Sequence, residues 1–139
     1  MRLFLDSSAL IKRYIAERGT EQVVRFCREA EEIVISAICA PELISAFQRL
    51  RREGKLSSRQ YRALKKDLAA DLIQAATVRL DEVVLSRTVE TLERTTVKTL
   101  DAIHIASAFE ASCDLLLSAD QRQCEAARKM GLRVEELPS

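Results

Sequence analysis

The chain alternates short, dense apolar runs with longer segments in which apolar residues recur every three or four positions. Leu3-Phe4-Leu5 is the first run, and it stops at Asp6-Ser7-Ser8, a strand followed by a helix-capping signal. Leu10, Ile11, Tyr14 and Ile15 follow at helical spacing. Gly19-Thr20 breaks the pattern, and Val23, Val24 and Phe26-Cys27 resume it as a second helix. Glu32-Ile33-Val34-Ile35-Ser36 is short and β-branched, as suits a buried parallel strand. Pro41 fits the first position of a helix with Leu43, Ile44, Phe47 and Leu50 on its apolar face and Gly54 at its end. Ser57 and Gln60 form a capping-box pair ahead of Tyr61, Leu64, Leu68 and Leu72.

In the second half, residues 76–80 read as a strand, and Val83, Val84, Val89 and Leu92 as one helix. Residues 100–111 form another, carrying Ile103, Ala106, Ala108 and Phe109. Residues 114–118 are a strand, 121–130 a helix closed by Gly131, and 132–135 a last strand. Strands separated by helices predict a central parallel sheet covered on both faces: an α/β, three-layer α/β/α fold. No repeat, linker or low-complexity stretch divides the chain, so residues 1–139 are expected to form a single domain.

Composition narrows the function. At 139 residues, 47% hydrophobic and 31% charged, the chain has material for a core and is no disordered segment. With 4% aromatic residues and no Trp, it offers no row of rings on which to stack bases. A net charge of +1 excludes a polycation that coats nucleic acid, though not a local basic patch. Cys27, Cys39, Cys113 and Cys124 form no C-x-x-C pair and there is one His, which disfavours a zinc site. The first apolar run is too short for a signal peptide and no stretch approaches a membrane span. The expectation is four reduced thiols in a cytoplasmic protein with no membrane contact.

Carboxylates are left as the candidate chemistry. In open parallel sheets, ligands bind beyond the carboxyl ends of the strands. Asp6 follows the first strand and Asp120 the fourth, while Glu42 and Asp101 stand in the first turns of their helices, the latter with Thr99 as a possible cap. All four can reach one edge, where they would raise each other's pKa unless a cation sat among them. Hard oxygen ligands of this kind select Mg²⁺ or Mn²⁺, which can activate a water against a phosphodiester. Taken singly, each acid also suits a helix start, where the helix dipole favours negative charge.

Other polar residues are weighed in the same way. His104 lies one turn after Asp101 and reads as a packing or buried hydrogen-bonding residue. Asp114 belongs at the opposite edge of the sheet and reads as structural. Lys98 and Arg122 flank Asp101 and Asp120 and are placed to touch a phosphate. The basic stretch from Arg49 to Lys66 is either an RNA-backbone contact or a solvated helical face. A haloacid-dehalogenase phosphohydrolase needs a second Asp where Ser8 stands, and a receiver domain needs an acidic pair that Asp6 lacks.

The chain resembles the PIN-domain nucleases, especially the toxin halves of bacterial VapBC toxin–antitoxin pairs. The resemblance rests on Leu3-Phe4-Leu5-Asp6-Ser7-Ser8-Ala9-Leu10, Glu42 after Pro41, and Leu100-Asp101-Ala102-Ile103-His104-Ile105-Ala106-Ser107-Ala108. It continues through Leu116-Leu117-Ser118-Ala119-Asp120 and the segment from Ala126 to Leu132. It implies a metal-dependent endoribonuclease cutting single-stranded RNA, with Asp6, Glu42, Asp101 and Asp120 as the catalytic, Mg²⁺- or Mn²⁺-holding acids. Asp6 and Asp101 would be direct ligands, and Glu42 and Asp120 would act directly or through waters. Ser8 matches the small hydroxyl residue after the first acid, and Ser118 stands where the family more often has Thr. The resemblance also implies a homodimer and a small cognate antitoxin that blocks the site. The alternative is a catalytically silent PIN-like module that binds RNA or protein.

Overall fold

The computed structural model describes residues 1–139. Its centre is β1 (Arg2–Leu5), whose neighbours are β2 (Glu32–Ser36) on one side and β4 (Leu115–Ser118) on the other. With β3 (Ala76–Val78) and β5 (Val134–Glu136) at the edges, five parallel strands run in the order β3-β2-β1-β4-β5. The chain therefore winds outward from β1, then crosses back to restart on its other side. The reversal leaves a switch point between the carboxyl ends of β1 and β4, where loops on either side turn away from each other.

The two-residue period of β1 sorts its side chains onto two faces. Leu3 and Leu5 join Ile35 and Leu117 against α1 (Ser7–Leu10), α2 (Thr20–Glu29), α3 (Cys39–Arg52) and α4 (Ser58–Gln74), with Phe47 wholly buried among them. Phe4 joins Val34 and Leu116 on the other face, under Ala102, Ile105 and Ala108 of α6 (Thr99–Glu110) and Ala126 and Ala127 of α7 (Gln121–Lys129). Three layers result, as the alternation of elements predicts. Each fully buried Leu, Ile or Phe contributes roughly 1.5–3 kcal/mol, so the faces of β1 hold both helical layers.

Several local expectations are adjusted by the packing. α3 begins at Cys39, which puts Pro41 third in the helix rather than first; it still lies among the opening residues whose N–H groups have no helical acceptor. Thr99 is not a cap, since α6 is entered from Lys98 without any side-chain cap. The helix expected from Leu10 through Ile15 is α1 followed by a single 3₁₀ turn, Ile11–Arg13. Strands β3 and β5 are shorter than the apolar runs suggested.

On α5 (Glu82–Arg94) the apolar residues do not mark the core face. Val84, Thr88 and Thr91 are buried, whereas Val83, Leu85 and Val89 are exposed. The threonine hydroxyls can be buried because each bonds back to its own helix, Thr88 to the Val84 carbonyl and Thr91 to that of Arg87. The capping box at Ser57 and Gln60 forms in full, with both reciprocal bonds present. No helix is long and apolar enough to cross a membrane.

Candidate active site

Asp6 leaves the carboxyl end of β1 and caps α1, accepting the Ala9 N–H on Oδ1 at 2.9 Å. It is 2% exposed, so its charge has little water to rely on. Ser8 Oγ donates to Oδ1 at 2.7 Å and Ser118 Oγ, from the end of β4, donates to Oδ2 at 2.5 Å. Both hydroxyls are themselves fixed: Ser8 accepts the Ala119 N–H at 2.9 Å and Ser118 the Asp120 N–H at 3.0 Å. Asp6 is thus tied across the switch point to the turn that carries Asp120. Three of a carboxylate's roughly four acceptor positions are taken, which leaves about one, on Oδ2, for another ligand.

Glu42 stands in the first turn of α3, where the helix dipole favours it. Its Oε1 lies 2.5 Å from Nε2 of buried His104 and accepts from Ser7 Oγ at 2.6 Å. Nδ1 of His104 is buried without a partner, which suits the tautomer that carries its proton on Nε2 and donates it to Glu42. Burial pushes the Glu42 carboxyl up, but the hydrogen bonds from His104 and Ser7, with the charge of His104 when protonated, more than offset it. The net result lies below the ordinary glutamate range.

Asp101 stands in the first turn of α6, half-buried. Burial raises its pKa most and the charge of Asp120 next; His104 opposes them, and Asp6 and Glu42 add smaller increases. The Asp6 carboxyl is also raised, by burial first, with His104, Ser118, Ser8 and Ala9 pulling the other way. Asp120 caps α7 by accepting the Gln123 N–H at 3.2 Å. The four acids expected from the sequence therefore meet electrostatically at one edge, with Asp101 feeling the other three.

Their oxygens are the donor set that a hard divalent cation prefers, and such a cation would relieve the repulsion that Asp101 meets from its acidic neighbours. As the side chains stand, however, no three His, Cys, Asp or Glu groups are gathered into a ready-made metal cage. Glu42 and Asp6 are instead committed to His104 and the serines. Lys98 and Arg122 are exposed beside Asp101 and Asp120.

The structure adds Ser7, a residue passed over in the sequence in favour of Ser8. The two are adjacent, and only the packing of α1 on α3 sends Ser7 to Glu42 while Ser8 turns to Asp6. The expectation for His104 is met, and its partner is now identified. Asp114 lies at the opposite edge, accepting the Arg2 N–H at 2.6 Å. A separate cavity of about 350 Å³, lined by Arg13, Tyr14, Glu32, Leu68 and Asp71, also opens at the amino-terminal end of the strands, away from the acids.

The sequence pattern of the PIN domain family matches residues 3–129. The chain belongs to the PIN domain family. Among its relatives, Ribonuclease VapC46 of Mycobacterium tuberculosis is 31% identical over 134 residues, covering 95% of each chain. In fold it is similar to FitAcB of Neisseria gonorrhoeae, with TM-score 0.72 and 18% identity over 95% of each chain. It is equally similar to VapBC2 of Rickettsia felis, solved with a DNA fragment from their promoter: TM-score 0.72 and 12% identity over 99% of each chain.

Proposed function

We propose that the protein is a divalent-metal-dependent endoribonuclease that cuts single-stranded RNA, the toxin of a VapBC-type pair. The observation that carries the reading is Asp6, at the end of β1, tied through Ser8 and Ser118 to the turn that carries Asp120, with Glu42 and Asp101 in the first turns of α3 and α6. The 31% identical relative named as a ribonuclease supports it over nearly the whole chain.

In this reading Asp6 and Asp101 hold Mg²⁺ or Mn²⁺ directly, and Glu42 and Asp120 do so directly or through water. When bound, the ion lowers the pKa of a water and neutralises charge on the phosphate. The protein's own contribution is placement. Ser8 and Ser118 hold the Asp6 carboxylate in one orientation, and His104 and Ser7 hold Glu42 ionised and aimed from α3. Glu42, kept below its usual pKa, stays ionised at neutral pH and so suits an oxygen ligand of the cation or of a water bound to it. Lys98 and Arg122 supply positive charge for the RNA backbone.

The partners proposed are a small cognate antitoxin and a second copy of the chain, and the setting is the cytoplasm. The VapBC2 complex supports the first, and the exposed apolar side chains of α5 give a second copy a surface to cover. The test is cleavage of single-stranded RNA by purified protein with and without Mn²⁺. Cleavage that needs the metal and is lost in Asp6→Asn and Asp101→Asn, with the fold intact, is expected. Undiminished cutting by those variants overturns the assignment of the acids, and no metal-stimulated cleavage of any RNA returns the protein to the silent, binding-module alternative.

A further inference from the structure

Between the turn that enters α6 and the outer face of α7 runs a groove of about 520 Å³, lined by Thr95, Thr96, Arg122, Glu125, Ala126 and Lys129. Arg122 opens it two residues after Asp120, and Lys129 closes it. Seven residues apart on one helix, the two cations lie on the same face, about 10 Å along the axis. Of the cations on α7, Arg128 is paired with Glu136 at 3.8 Å, whereas Arg122 and Lys129 have no acidic partner within ion-pair distance. The Thr95 hydroxyl is spent on the Thr91 carbonyl, while Thr96 is exposed and free to donate. The wall between them is built in: Val97 and Ala126 belong to one buried cluster, so the threonine turn and α7 are held at fixed separation.

We infer that this groove is a subsite for the sugar–phosphate backbone of the RNA strand, leading away from the acids along α7. The inference rests on the ribonuclease reading above and extends it to the substrate beyond the bond that is cut. About 10 Å apart along the axis, the two cations meet different phosphates of one strand. Arg122 meets the phosphate nearer the acids and Lys129 one farther along, with Thr96 donating from the opposite wall. Glu125, exposed on the same helix between Arg122 and Lys129 and held by Gln121 at 3.4 Å, opposes an anionic ligand, and it makes the site testable in both directions.

The experiment measures binding of a labelled single-stranded RNA of about twelve nucleotides across a salt series, in the Asp101→Asn background so that the strand is not cut. Lys129→Gln is expected to raise Kd several-fold and to lower the magnitude of the salt slope by about 0.7, as loss of one phosphate contact does on a single strand. Glu125→Gln is expected to lower Kd. Opposite shifts from neighbouring positions on one helix face cannot come from misfolding. If the parent protein cuts RNA but both variants bind as their background does, or both shift the same way, the groove is not a subsite. A parent that neither cuts nor binds RNA overturns the ribonuclease reading and the groove together.

Discussion

Nε2 of His104 lies 2.5 Å from Oε1 of Glu42, joining α6 to α3 beside the switch point of the sheet. The imidazole is 2% exposed and packs edge-on to Phe4 of β1, with ring centroids 6.1 Å apart. It is a positioning residue: it holds the carboxylate that faces the proposed metal. Partners of this kind typically contribute roughly 10–100-fold to metal affinity or activity. His104→Gln is expected to raise the Mn²⁺ concentration for half-maximal cleavage within that range, with much of the rate recovered at high Mn²⁺. A change in rate with no change in metal requirement would count against this role.

Ser118 acts on Asp6 in the same manner from the other side. Its hydroxyl donates to Oδ2 in the buried interior and accepts the half-buried Asp120 N–H. Ser118→Ala leaves the Asp120 N–H without its acceptor and Asp6 short of a donor, costing about 1–3 kcal/mol in stability. Ser118→Thr keeps the hydroxyl and is expected to keep cleavage activity. Thermal melts and cleavage rates of the two variants, measured side by side, check this.

Asp101 links function to stability with a definite sign. Its folded pKa is raised, so the folded protein holds this proton more tightly than the unfolded chain does. Stability from the protonated acid is complete below the ordinary aspartate range and is lost as pH rises through the raised value. At neutral pH without metal, the ionised carboxylate is therefore a burden. Asp101→Asn is expected to melt a few degrees higher than the parent in EDTA at pH 7.5. The gap should close as the pH is lowered toward 4, and should shrink when Mg²⁺ is added. Melts of both proteins across pH decide it, and a lower melting point for Asp101→Asn at pH 7.5 sinks the argument.

The thiols are expected to be quiet. Burial pushes Cys39 up to about 12, Cys113 to about 11 and Cys124 to about 11, and the thiolate is the reactive species. At pH 8 the folded protein should take up iodoacetamide at these positions far more slowly than the urea-unfolded chain, read by mass spectrometry. Rapid labelling of Cys39 in the folded protein would show that α3 opens next to Ser7, which lies 3.4 Å from its sulfur.

Much of the site was legible because its backbone positions are set locally. An acid directly after a strand, or in the first turn of the helix entered from it, lies at the carboxyl edge of a parallel sheet whatever the strand order. So does one in the first turn of the helix that leads back to the next parallel strand. That places Asp6, Glu42, Asp101 and Asp120 at the carboxyl edge before any coordinate is known. The capping box at Ser57 and Gln60 was equally legible, being confined to four residues. On α5 the same logic failed. Val83, Leu85 and Val89 face outward there, and the core side holds Val84 with two threonines whose hydroxyls bond to their own helix.

By itself, then, the sequence determined the alternation of strands and helices, the three layers, and the edge at which the acids stand, since each follows from periodicity and chain direction. Tertiary structure alone decided the order β3-β2-β1-β4-β5, and with it that Ser118 at the end of β4, and the turn to Asp120 behind it, would stand beside Asp6 just past β1. It also decided that adjacent serines divide their labour, Ser7 to Glu42 and Ser8 to Asp6, and that His104 reaches across from α6. These relationships join residues as far apart as 112 positions. No local pattern encodes them, because they come from which hydrophobic faces can be buried together.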